Sequence, residues 1–158
     1  MTHQWLADLP GWAPFTFAEE PAPTAEMLPT WPRLHETYPL VHAFSRLGHV
    51  VLSDADERRF TVLHPLQGGM KGYEAASLEE FRRTVIDDLG FQAHVFPADL
   101  VRPVVERLGP ISADDVYVPV PYPVLGGSGA PETYSSGDVW VFLDIVGQVW
   151  LRQPPAQP

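Results

Sequence analysis

The spacing of apolar positions changes several times along this chain, and each change marks a predicted element. Over residues 34–47, Leu34, Tyr38, Val41 and Phe44 recur near helical spacing. Pro39 interrupts the stretch, but proline is tolerated in a first turn, so the pattern predicts a helix from about Pro39 to Gly48. The period then shortens. His49-Val50-Val51-Leu52-Ser53 and Arg58-Arg59-Phe60-Thr61-Val62-Leu63-His64 read as two antiparallel strands joined by the turn 54–57. Pro65 ends the second strand, Gly68, Gly69 and Gly72 mark a further turn, and residues 72–75 read as a short extended piece.

Ser77-Leu78-Glu79-Glu80 is a capping box, in which Ser77 can accept from the Glu80 amide while Glu80 reaches back. The helix it starts carries Leu78, Phe81, Val85 and Leu89 on one face and is expected to close at Gly90. A second helix over residues 97–108 has the stripe Leu100, Val101, Val104, Val105 and Leu108, with Gly109-Pro110 as its stop. Pro103 predicts a kink or a later start within it. Residues 116–120 read as a strand, 128–137 as a loop and 139–151 as a final strand. In that last run Val139, Val141, Leu143 and Ile145 alternate with Trp140, Phe142, Asp144 and Val146. Apolar groups on both faces suit a central strand, with Gly147 permitting a bend or bulge.

Six prolines between residues 1 and 32 break every helical window there, while Trp5, Trp12, Phe15, Phe17 and Trp31 supply apolar anchors. This predicts an irregular arm over 1–32 packed on the domain, with one short helical turn at Trp5 to Leu9. The fold class expected is α+β: a single domain over 33–153 with a mostly antiparallel central sheet flanked by two or three helices, and a disordered tail at 154–158.

Composition narrows the functional classes. A chain of 158 residues, 45% hydrophobic, is the size of one domain and can bury about 70% of its unfolded surface. With no cysteine there are no disulfides, thiolate metal sites or cysteine nucleophiles. No secretory signal or membrane-spanning run is read in it, so a soluble cytoplasmic protein is expected. Twenty acidic against ten basic residues give a net charge of −10, with Lys71 the one lysine. Such a surface repels phosphate backbones and anionic lipid and favours a basic protein partner, although many proteins are acidic for solubility alone.

Candidate chemistry is sparse. Asp54, Asp56 and Glu57 resemble the start of a calcium loop but lack its glycine and distal glutamate, so an Asp-rich hairpin turn explains them better. His49 and His64 lie near opposite ends of the hairpin strands and, with Asp54, could ligate a metal. Pairing about the 54–57 turn is expected to set His49 opposite Thr61 or Val62, which makes that geometry marginal. Gly126-Gly127-Ser128-Gly129 has no following lysine, and Pro131 forbids a phosphate-binding helix start. Asp87-Asp88 and Asp114-Asp115 are adjacent pairs that point apart. No nucleophile, base and orienter can be placed together, and no cofactor motif is present, so the expectation is a protein that is not an enzyme.

The stretch Tyr117-Val118-Pro119-Val120-Pro121-Tyr122-Pro123-Val124-Leu125-Gly126-Gly127 has an unusual geometry, because each proline fixes φ and removes a ladder donor. It combines with Phe44 to Val51, with Glu74-Ala75-Ala76-Ser77-Leu78-Glu79-Glu80-Phe81, with Gly137-Asp138-Val139 and with Val146-Gly147-Gln148-Val149-Trp150. In order and spacing this set resembles a bacterial family of immunity proteins that neutralise DNase effectors of the type VI secretion system, specifically its C-terminal immunity domain, formerly a domain of unknown function. The resemblance covers some two thirds of the chain, from about Phe44 to Gln153. It departs at His49, where the family commonly has an aspartate, and upstream, where the arm stands in place of a separate domain.

The resemblance implies a non-catalytic protein that binds and neutralises a cognate secreted toxin, a nuclease, through an acidic surface. Pro123, Leu125, Gly126 and Gly127, with Gly147 and Gln148, would be fold determinants. The glycines at 126 and 127 would make a turn, and Gln148 a bend or edge contact. Candidate partner contacts are the loop acids Asp54, Asp56, Glu57, Asp114 and Asp115, with Tyr122 and Tyr134 as aromatic anchors. Two other readings stand beside this one: a peptide or small-ligand binding module using a groove beside the proline-rich corner, and a metal-dependent hydrolase built on His49 and His64.

Overall fold

The computed structural model describes residues 14–152. The expected turn at Trp5 to Leu9, the anchors Trp5 and Trp12 and the tail 154–158 lie outside the described residues. Five strands form one antiparallel sheet in chain order: β1 (Phe15–Pro23), β2 (Leu40–Ser45), β3 (Val50–Ser53), β4 (Arg59–His64) and β5 (Gly69–Glu74). Two short helices, α1 (Thr24–Met27) and α2 (Pro32–Thr37), connect β1 to β2. After β5 come α3 (Leu78–Phe81), a π-helical stretch Arg82–Ile86, α4 (Leu89–Val95) and α5 (Ala98–Leu108). β6 (Asp115–Pro119) and β7 (Tyr134–Asp138) pair as a separate two-stranded sheet, and α6 (Val139–Arg152) ends the fold. The class is α+β, as the element pattern predicts.

The sheet is buried on both faces, and this organises everything else. Successive β3 residues point to opposite sides, so Val51 joins one core with Ala43, Phe60 and Val62, while Val50 and Leu52 join the other with Val41 and Leu63. Helices α3 to α5 cover the first face through Phe81, Ile86, Val95, Phe96, Val101 and Val104. The second is covered by Leu28 and Leu34 from the β1–β2 connection and by Val139, Phe142, Leu143 and Val146 of α6.

Several expectations are corrected. Residues 139–151 are a helix, not a central strand, and the buried set Val139, Phe142, Leu143, Val146 and Gly147 has helical spacing. Asp138 caps it, its Oδ1 accepting from the Trp140 and Val141 amides at 2.9 and 3.0 Å. Residues 40–45 are β2, not a helix. The β2–β3 register shifts between Val41 and Ala43, so Val41 and Phe44, three residues apart, both reach the second core and imitate a helical stripe. The described part of the 1–32 arm is regular, because β1 pairs along β2 through Phe15↔Ser45 and Pro23↔Leu40. Finally, the helix from Ser77 does not run to Gly90.

That last helix starts as expected, with Ser77 Oγ accepting from the Glu80 amide at 3.1 Å. It then widens, the Asp87 amide donating to the Arg82 carbonyl at 2.8 Å. Asp88 takes extended backbone and caps a new helix by accepting from the Phe91 amide at 2.9 Å. Leu89, expected on the buried stripe, is 55% exposed. By contrast α5 runs unbroken through Pro103, with no later start, and Gly109 at φ +70° terminates it. The expected loop 128–137 also gives way to β7 from Tyr134 onward.

Candidate functional site

The acidic candidates form two separate groups. At the β3–β4 turn, Asp54 Oδ1 accepts from the Arg58 and Arg59 amides at 2.9 and 3.1 Å. The Arg58 amide is the main cause holding its carboxyl below the usual range, so Asp54 shapes the turn. Asp56 is exposed, and Glu57 lies half-open beside it with Oε1 3.9 Å from His42 Nε2. Asp114 and Asp115 lie at the other end of the sheet. Arg46, just beyond β2, donates through Nη1 to the carbonyls of Ser112 at 3.0 Å and Asp115 at 3.2 Å. The turn at 54–57 instead follows Ser53, which pairs with Leu40 at the start of β2. β2, six residues and roughly 16 Å long, runs between the Arg46 end and the end that holds this turn.

Of the aromatic candidates, Tyr134 is buried and Tyr122 half-buried. Tyr134 is 6% exposed and belongs to the first core, so its ring is not a free anchor. Tyr122 packs edge-on against Phe142 of α6, centroids 5.6 Å apart, and supports that helix.

The proline-rich corner and α6 are held by close backbone approaches. After the cis Val120–Pro121 bond, the chain makes a 3-10 turn at Pro123–Leu125, and Gly126 follows at φ +95°. A Cβ on Gly127 would lie 1.8 Å from the Pro121 carbonyl oxygen, a distance no side chain could occupy. Gly147 lies on a helix and makes no bend. A Cβ there would fall 2.1 Å from Thr30 Oγ1, so its bare backbone lets α6 press on the α1–α2 connection. Gln148 sits on the exposed face, donating to Asp144 Oδ2 at 3.0 Å one turn earlier.

Two histidine sites lie near the sheet, with His42 and His49 buried, His64 half-buried and His94 exposed. His42 Nε2 lies 2.7 Å from Ser53 Oγ, and Ser53 donates onward to the Asp54 carbonyl at 2.8 Å, so the imidazole is the donor to that hydroxyl. Ser53 is fully buried, out of reach of any substrate. Burial pushes His42 below the usual imidazole range against the opposing pull of Glu57.

The second cluster corrects the expected register. β3 and β4 pair Val50 with Leu63, which sets His49 beside His64 with ring centroids 4.9 Å apart, not opposite Thr61 or Val62. His94 of α4 adds a third ring 6.4 Å from His64, a neighbour thirty residues on that no local pattern signals. Burial first, then the charges of His64 and His94, lower His49 to about 3. Burial and His94 likewise lower His64. Asp54 is at the far end of the hairpin, and among the described residues no three His, Asp or Glu side chains converge on a metal position. No helix among them is long and apolar enough to cross a membrane.

With this geometry in view, comparison with known proteins is informative. Residues 75–149 match the family described as T6SS immunity protein Tdi1, C-terminal. The matched segment covers just under half of the chain. It holds α3 to α5, the small sheet and most of α6, together with the proline-rich corner, Gly127, Asp138 and Gly147. The five-stranded sheet precedes it. The crystal structure of Atu4351 from Agrobacterium tumefaciens has the same fold, with a TM-score of 0.63 at 17% identity over 85% of this chain. The chain spans 66% of the Agrobacterium protein's length. No curated protein matches the chain.

Cavities provide the remaining candidates. One, of about 400 Å³, is lined by His49, His64, His94 and Lys71 at the end of the first core. A second, of about 310 Å³, lies between Trp31, Leu34, Leu63 and Trp150. Neither of these two is lined by residues 119–127.

Proposed function

We propose that the protein is a non-catalytic immunity protein of the type VI secretion system, which binds and neutralises a cognate bacterial toxin in the cytoplasm. The match of residues 75–149 to the Tdi1 C-terminal family carries this reading. We further assign the toxin as a nuclease and the binding surface as acidic. A nuclease holds its substrate in a basic cleft, and a chain of net charge −10 complements that cleft while repelling nucleic acid and anionic membranes.

The two acidic groups are too far apart to act as one cluster. Asp56 and Glu57 at the hairpin turn, with Asp54 shaping it, form one contact surface, and Asp114 with Asp115 the other. Tyr122 and Tyr134 then act by supporting the surface from within. The test is to mix the purified protein with the toxin encoded beside its gene and follow DNA cleavage. Inhibition complete at one equivalent, with a one-to-one complex that associates more slowly as salt rises, is the expected result. Undiminished cleavage at molar excess would exclude this toxin as a target, and the same outcome with every adjacent toxin would sink the proposal.

A further inference from the structure

The cavity at the end of the first core runs against the charge of the rest of the molecule. In a chain with 20 Asp and Glu against 10 Lys and Arg, none of its lining residues is acidic. Its titratable groups are His49 of the β2–β3 turn, His64 of β4, Lys71 of β5, His94 of α4 and Tyr134 of β7, and apolar walls come from residues such as Leu47 and Leu100. Lys71 is the chain's one lysine.

The protonation of His49 follows from its neighbour. Ser45 Oγ accepts from the Leu47 amide at 3.1 Å and the His49 amide at 2.9 Å, which occupies its lone pairs. Its proton therefore goes to His49 Nδ1, 2.7 Å away, and leaves Nε2 carrying hydrogen. That Nε2–H has no hydrogen-bond partner among the described residues, in a residue that is 8% exposed and lines the cavity. A buried donor without an acceptor is uncommon, because it forfeits its hydration for nothing.

We propose that this cavity binds a small organic carboxylate. Its oxygens accept from the imidazoles of His49, His64 and His94 and from the Lys71 ammonium, and its apolar body lies against Leu47 and Leu100. The site is independent of toxin neutralisation. Because an anion stabilises imidazolium, affinity rises as pH falls through the histidine range.

Benzoate is the probe, and imidazole nitrogen NMR of the whole chain is the readout. Bound benzoate should raise the apparent pKa of His64 by about one unit and shift the ring nitrogen resonances of His94, while leaving the resonances of His35 of α2 nearly unmoved. Lys71→Gln, on an exposed strand residue, should keep the fold and weaken benzoate binding about tenfold. His94→Gln, also exposed, should weaken it as well. No rise at His64, an equal resonance shift at His35, or unchanged affinity in both variants would overturn the proposal. Inorganic phosphate acting as strongly as benzoate would overturn the carboxylate assignment. Zinc ions perturbing all three rings where benzoate perturbs none would make the cluster a metal site instead.

Discussion

Gly147 of α6 and Thr30 of the α1–α2 connection are in backbone-to-side-chain contact, so close that a Cβ at 147 would fall 2.1 Å from Thr30 Oγ1 and 2.7 Å from Trp31 Nε1. Neither neighbour is free to retreat. Thr30 Oγ1 donates to the Asp144 carbonyl at 3.0 Å and Trp31 Nε1 to the Leu143 carbonyl at 2.9 Å, which clamps the helix to the connection.

Gly147→Ala should therefore destabilise the protein by about 2–3 kcal/mol, since overpacking and the loss of these bonds outweigh a helix-propensity gain of ~1 kcal/mol. Urea denaturation measures it. Thr30→Ala in the same chain should recover part of the loss, because it removes the nearest atom. Equal or greater stability of the single variant would refute the clamp.

The cap of α6 gives a smaller and separable effect. Asp138→Ala removes an acceptor shared by the Trp140 and Val141 amides and should cost about 1 kcal/mol. Asp138→Ser should restore most of it. A loss confined to the first turn would appear as faster amide exchange at 140 and 141, with the remainder of α6 unchanged.

Acid sensitivity follows from the buried histidines. His42, His49 and His64 all have folded-state pKa values below the ordinary imidazole value of 6.5. Below pH 6.5 the unfolded chain takes up protons that the folded one refuses, so their stabilisation is full above that pH and is lost on acidification. For His49 the loss continues down to about pH 3, at about 1.4 kcal/mol for each pH unit. Denaturation midpoints measured at pH 7 and 5 should fall with pH, and His49→Asn should flatten the trend by about one proton. Stability that is constant or rises on acidification would contradict it.

Charge at the hairpin turn separates the two acidic surfaces. Asp56→Asn with Glu57→Gln should leave stability within about 0.5 kcal/mol, since both side chains are substantially exposed. If the toxin meets this end, the pair should slow association about tenfold at low salt and have little effect at high salt. Asp114→Asn is the matching change at the opposite end, and an effect of that variant alone would place the toxin there.

Much of the local structure was legible in the sequence. The 49–64 hairpin, the Ser77 cap and α5 with its Gly109 stop all arise from signals a few residues long, whose hydrogen bonds close within the same segment. The helix capped by Asp138 went unread because Val139 to Leu151 satisfies both periods: Val139, Val141, Leu143 and Ile145 alternate, while Val139, Phe142, Leu143 and Val146 form a helical stripe. A run apolar all round leaves the choice to its surroundings. Here the face formed by Val50, Leu52 and Leu63 was already central to a sheet and needed covering, which a helix does and another strand does not.

Tertiary structure also decided what β2 is and where the histidines meet. A register shift put Val41 and Phe44 on one face, an arrangement that appears only once β3 is paired alongside. His49, His64 and His94 come from three elements, and only the packing of α4 over the end of the hairpin brings them together. The chain by itself determined its charge and its local turns and caps. Contacts between residues distant in sequence decided which apolar run became the covering helix and which polar groups came to share a cavity, because burial rewards a face only when a partner exists to cover it.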